Sequence, residues 1–131
     1  MPAIAPTETM SAASATVLLV DDEPDLRDVM TDFLELSGYH VVAAGTADEA
    51  IAVLDNAPVD VVFTDVRMPG GMDGIGLARW IHCHRPEIPV LITSGYIPRA
   101  QNVGAVSSGP LIAKPYRPEE IVRRVRELTG H

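Results

Sequence analysis

The stretch "VDVVFTDVRMPGGMDG", Val59 to Gly74, is mostly apolar up to Asp65 and then breaks into Pro and Gly. A short run of Val, Phe and Thr suits a strand covered on both faces, as in a parallel sheet. Met-Pro-Gly-Gly ends such a strand, because proline lacks a ladder donor and glycine a side chain to pack. The stretch therefore predicts a central strand that ends at one carboxylate, with a loop turning away.

Four more apolar runs share this look. They are "TVLLV" (16–20), "HVVAA" (40–44), "PVLIT" (89–93) and "PLIA" (110–113), beside "VDVVFT" (59–64). Segments of helical period lie between them. "PDLRDVMTDFLELSG" has Pro24 near its start and Gly38 at its end, with Leu26, Val29, Met30, Phe33, Leu34 and Leu36 as its apolar positions. "TADEAIAVLDN" pairs Thr46 with Glu49 in capping-box spacing. "DGIGLARWIHCHR" stops before Pro86, and "RPEEIVRRVRELTG" carries Pro118 in its first turn and Gly130 at its end. Pro98 to Ser108 holds few core residues, so a helix there is expected to be short or irregular. Alternating strands and helices mean an α/β fold with a parallel sheet and right-handed crossovers.

The 131 residues suffice for one domain, and the 47% hydrophobic content suits a packed core. A net charge of −8 argues against nucleic acid as a direct partner. Arg117, Arg123, Arg124 and Arg126 read as a solvated helix face. Cys83 is the single cysteine, which excludes an internal disulfide and fits the cytoplasm. No apolar run is long enough to cross a membrane. Met1 to about Ala15 lacks Lys and Arg, is interrupted by Pro2 and Pro6, and reads as a flexible tail rather than a signal peptide. The domain is expected over 16–131.

Ligands of an open parallel sheet bind beyond the carboxyl ends of its strands. The residues that follow the runs are Asp21 and Asp22, Asp65, Ser94 and Lys114, whereas the second run ends at Gly45 and is expected at the sheet margin. Each polar residue has a plainer reading: a helix cap for Asp21 or Asp22, an Asx-turn for Asp65, a turn for Ser94, a solvated charge for Lys114. Their convergence on one edge favours a site. Three carboxylates together repel one another, and a divalent cation removes the conflict. Oxygen ligands in a small open site suit Mg²⁺. An ionised Asp65 beside it can attack phosphorus and form an aspartyl phosphate. Lys114 and the metal can neutralise the phosphoryl oxygens, and Ser94 can donate a hydrogen bond to one.

The pieces "LLVDDEPDLR", "DVVFTDVRMPGGMDGIGLA", "IPVLITSG" and "IAKPY", in this order and spacing, resemble the receiver domain of two-component response regulators (the CheY-like family) from about Thr16 to Thr129. The resemblance implies a doubly wound five-stranded sheet of order 2-1-3-4-5 with helices on both faces. It implies that Asp65 accepts a phosphoryl group from a histidine kinase or histidine phosphotransfer protein. Asp22 and Asp65 would hold Mg²⁺, Asp21 would help directly or through water, and the backbone carbonyl of Arg67 would complete the set. Ser94, rather than the adjacent Thr93, would be the switch hydroxyl, with Gly95 leaving room beside it. Lys114 would contact the phosphate, and Lys114–Pro115 is commonly cis in the family. Such a domain is a signalling module, not an enzyme, although it assists its own phosphorylation and dephosphorylation.

The chain also departs from the family. "MPGGMDG" has one Gly more than the commonest loop, Leu111 replaces the usual aromatic switch, and the connection from Ser94 to Lys114 is short. Arg67 and Tyr96 sit where side chains tune phosphate lifetime. Two other readings compete: a pseudo-receiver used only for protein contact, and a haloacid-dehalogenase-like phosphatase. The second wants an Asp where Arg67 stands. If the chain is whole, it is expected to be a stand-alone receiver; as a piece of a longer protein it would suit the terminal receiver of a hybrid kinase. "HCH" at His82 to His84 near a helix end, and Trp80, read as structural or exposed. "GMDGIG" is no dinucleotide fingerprint, because the third glycine is missing.

Overall fold

The structure, a computed structural model, describes residues 15–68, 70–94 and 112–130, apart from the side chains of Ser94 and Ala113. The expected tail up to residue 14, Gly95, Tyr96, the segment 98–108 and Leu111 lie outside the described residues.

The elements are β1 (Thr16–Val20), α1 (Pro24–Leu36), β2 (His40–Ala44), α2 (Ala47–Asn56), β3 (Val61–Asp65), α3 (Gly74–His84), β4 (Val90–Ser94), β5 (Ile112–Ala113) and α4 (Pro118–Thr129). All strand pairs are parallel, in the order β2-β1-β3-β4-β5. This is the expected doubly wound sheet, with β2 at its margin. Successive strand residues face opposite ways, so both parities must be apolar when both faces are covered. Val17, Leu19, Val61, Phe63 and Leu91 pack with Met30 and Leu34 of α1 and Ile121 and Val125 of α4. Leu18, Val20, Val62, Val90 and Ile92 pack with Ala50 and Leu54 of α2 and Leu77 and Ile81 of α3.

β3 and β4 each run one residue past the apolar stretch that predicted them. The ladder pairs Asp65 with Thr93, and the Val66 N–H donates to the Thr93 carbonyl at 2.9 Å. Backbone pairing is indifferent to side-chain polarity, so the strand carries Asp65 as its last residue.

Local chemistry sets the helix ends. α1 closes with a Schellman motif: the Tyr39 N–H donates to Leu34 O and the Gly38 N–H to Glu35 O, with Gly38 at φ +99°. At α2, Thr46 Oγ1 accepts from the Glu49 N–H, as a capping box requires. Glu49 Oε1, however, accepts from the Gly45 N–H, one residue earlier than in the standard box.

The apolar positions of α1 divide differently from the simple pattern. Met30 and Leu34 are buried, whereas Val29, Phe33 and Leu36 are exposed, Leu36 to 87%. Adjacent residues lie about 100° apart around a helix, so a stripe at 30 and 34 and one at 29, 33 and 36 cannot both face the sheet. Near the end of α3, His82, Cys83 and His84 are exposed, and the His84 ring stacks on Trp80 with centroids 4.4 Å apart. Arg123 and Arg124 lie near Glu127 on α4. Among the described residues no helix is long and apolar enough to cross a membrane.

Leu34→Ala is expected to lower unfolding free energy by about 2–5 kcal/mol in urea titrations. Leu36→Ala should change it by less than about 0.5 kcal/mol. Equal losses would contradict this packing of α1.

Candidate functional site

Asp21 follows β1 and is held on three sides. Its N–H donates to Ala44 O at 3.1 Å, its Oδ1 accepts from the Glu23 N–H at 2.9 Å, and its carbonyl accepts from Arg27 Nη1 at 2.8 Å. Neither Asp21 nor Asp22 caps α1, whose N-cap is Glu23 without a side-chain cap bond. Asp65 ends β3 and is 8% exposed; Asp21 is 5% exposed and Asp22 is open to solvent. One ligand atom from each of the three carboxylates lies within 4.8 Å of the others, the only such acidic, His or Cys group among the described residues.

Lys114, just past β5, donates from Nζ to Asp65 Oδ2 at 2.8 Å. The other oxygen, Oδ1, receives a longer contact of 3.4 Å from the Arg67 N–H. The lysine, rather than an Asx-turn, is therefore the closer partner of Asp65. Burial works against the Lys114 ammonium, but the hydrogen bond and charge of Asp65 raise its pKa above the ordinary value. Burial is also the largest influence on Asp21 and raises its pKa. The Glu23 N–H and Lys114 oppose that shift, and the Asp65 and Asp22 charges add to it. Beneath the acids, Tyr116 meets Phe63 edge-on with ring centroids 5.8 Å apart. Its phenol is also pushed up, by burial first and then by Asp21, Asp65 and Glu23.

The loop after Asp65 returns so closely that it demands a glycine. The Gly74 N–H donates to Val66 O at 2.7 Å, and a Cβ at Gly74 would overlap the Asp65 carbonyl. α3 then starts at once, with Asp73 Oδ1 accepting from the Gly76 N–H at 2.8 Å. Gly70 and Gly71 of the long loop lie against the start of α2. There they line a small recess of about 120 Å³ with Thr46, Ala47, Asp48 and Met72. Gly70 takes φ +95°.

The structure thus brings Asp21, Asp22, Asp65 and Lys114 together, with Arg67 adjoining through its N–H. Ser94 ends β4 at the same edge, but its side chain is outside the described residues; Thr93 is buried. The Lys114–Pro115 bond is cis, as the resemblance implies. Three carboxylates face one ammonium, and Asp21 already resists ionisation. A hard divalent cation with oxygen preference fits this donor set, and Mg²⁺ is such an ion. Sequence reasoning missed Arg27 and Gly74. A glycine directly after the N-cap Asp73 is a usable signal for the latter; the reach of Arg27 back to Asp21 has none.

Fold and site together define a class: a doubly wound parallel domain with an acid cluster and a lysine at the carboxyl edge of its sheet. The family model of the response regulator receiver domain matches residues 17–126, and the chain belongs to this family. It is 37% identical over 117 residues to the C4-dicarboxylate transport transcriptional regulatory protein DctD of Rhizobium meliloti (strain 1021), covering 88% of this chain and 25% of that protein. It is 33% identical over 119 residues to the transcriptional regulatory protein AruR of Pseudomonas aeruginosa, covering 86% of this chain and 48% of that one. The chain therefore spans a quarter to a half of these relatives. Among solved structures, a CheY-like receiver domain protein from Methanospirillum hungatei JF-1 superposes with a TM-score of 0.83 at 28% identity, covering 89% of this chain and 94% of that one.

Asp21→Asn keeps an acceptor for the Glu23 N–H and removes a buried charge, so it should stabilise the metal-free protein at neutral pH. The folded state holds the Asp21 proton more tightly than the unfolded chain, whose value is near 3.8. The wild type therefore loses stability as pH rises from there through the raised folded value. The gain of the variant should be complete above that window and vanish below it; a gain independent of pH would contradict the assignment. Gly74→Ala should cost more than about 3 kcal/mol or prevent folding. Unchanged melting would contradict the close approach to Asp65.

Proposed function

We propose that the chain is a phosphoacceptor whose Asp65 takes a phosphoryl group from a phosphohistidine on a histidine kinase or histidine phosphotransfer protein. The observation that carries this reading is the Lys114–Asp65 contact of 2.8 Å beside two further carboxylates at the carboxyl edge of the sheet. A carboxylate oxygen of Asp65 attacks phosphorus, a P–O bond forms, and the P–N electron pair leaves on the donor imidazole. Asp22 and Asp65 would hold Mg²⁺ by their side chains, Asp21 directly or through water, and Arg67 by its backbone carbonyl. The bound ion would supply positive charge against the phosphoryl oxygens.

Charge redistribution then drives the switch. Once phosphorylated, the Asp65 carboxyl loses the negative charge that holds Lys114, and the ammonium follows the charge outward to the phosphoryl group. Ser94 donates its hydroxyl to a phosphoryl oxygen, the loops after β3 and β4 shift, and affinity for a partner changes. The domain assists its own phosphorylation and dephosphorylation without turning over a separate substrate. The reading carries with it a cytoplasmic location.

Incubation with acetyl phosphate and Mg²⁺ tests this. Intact mass should rise by one phosphoryl group in the wild type and stay unchanged in Asp65→Asn. Equal labelling of Asp65→Asn would overturn the site, and an unlabelled wild type would make the chain an interaction module only. Ser94→Ala should still take label but show smaller amide shift changes; identical changes would remove Ser94 from the switch.

A further inference from the structure

The acid cluster depends on where the β1–α1 turn places Asp21 and Asp22. That turn is held from outside by one side chain. Arg27, in the first turns of α1, reaches back six residues and donates from Nη1 to the Asp21 carbonyl at 2.8 Å. It passes close to residue 45, where a Cβ would stand 3.0 Å from Arg27 Nη1 and press on the guanidinium. Gly45 is itself fixed, its N–H donating to Glu49 Oε1 at 2.7 Å. The end of the marginal strand β2 thus lies beside the guanidinium, which occupies the backbone carbonyl of Asp21.

We infer that Arg27 is a positioning residue for the divalent-cation site, acting through the Asp21 backbone, with the missing side chain of Gly45 leaving it uncrowded. This rests on the metal reading proposed above. Arg27 touches neither phosphoryl group nor ion. Its charge and its geometry push cation affinity in opposite directions. As a nearby positive charge it repels Mg²⁺, so its removal would tighten binding. As a clamp it keeps Asp21 and Asp22 in register with Asp65, so its removal weakens binding. Partners that orient metal ligands carry about tenfold or more in affinity.

The test is a Mg²⁺ titration followed by amide shifts, run well below each protein's melting midpoint. Arg27→Ala should bind Mg²⁺ about tenfold more weakly than wild type. Arg27→Lys, which keeps the charge and can offer one donor to the Asp21 carbonyl, should rescue part of the loss. Gly45→Ala keeps the charge and crowds the guanidinium, so it should weaken Mg²⁺ as well. In an Arg27→Ala background it should add no further loss. Unchanged or tighter binding by Arg27→Ala with normal wild-type binding overturns the inference alone. So does an additive loss in the double variant. If Arg27→Ala does not fold, Gly45→Ala carries the same decision. A wild type that binds no Mg²⁺ at the acid cluster overturns the metal reading and this inference together.

Discussion

The ion pair between Lys114 and Asp65 joins strands that are not neighbours. β4 lies between β3 and β5, and parallel strands stand about 4.8 Å apart, so the pair bridges a gap of nearly 10 Å. A lysine stem can cover that distance only if the strands end on the same side and at similar levels. Both conditions hold among the described residues: Asp65 is level with Thr93 and Ile112, Lys114 follows Ile112 by two residues, and every pairing is parallel. The site is in this sense a product of strand direction, since an antiparallel edge would send Lys114 to the opposite rim.

Around that pair the protein gathers more negative charge than it balances. Asp21 is buried beside Asp65 and Asp22, and its ionised form is held back by burial first. The Glu23 N–H on the Asp21 carboxylate and the Lys114 charge offset part of this strain. Such a pocket is less stable empty than a neutral one of the same shape, and it favours a cation for the same reason. The cost in stability and the capacity to bind have one origin. The near-buried Asp65 shares it, because its oxygens face Lys114 and the Arg67 N–H rather than bulk water.

Much of this arrangement is legible in the residues. Continuous apolar runs such as "TVLLV" and "VDVVFT" mark strands covered on both faces, and the rule that ligands sit beyond their carboxyl ends picks out Asp21, Asp22, Asp65 and Lys114. What stays illegible depends on distances that periodicity does not carry. The apolar residues of α1 do not reveal which stripe meets the sheet, so Val29, Phe33 and Leu36 look as inward as Met30 and Leu34. Gly74 is marked in the sequence only by following the cap residue Asp73, and its approach to the Asp65 carbonyl shows only in the structure. Glu49 caps Gly45 rather than Thr46, a one-residue difference set by how the chain enters α2. Arg27 looks like an ordinary helix cation, since nothing in its neighbours tells that it turns back to Asp21.

The central claim is that Asp65, and not either of the two acids beside it, is the nucleophile. Reduction of the phosphorylated protein with borohydride marks the answer directly, because an acyl phosphate is reduced to an alcohol while free carboxylates are untouched. Peptide mass mapping should then find homoserine at position 65 and unmodified aspartate at 21 and 22. Homoserine at position 21 or 22, or at no position in a protein that has gained the phosphoryl mass, would contradict the account.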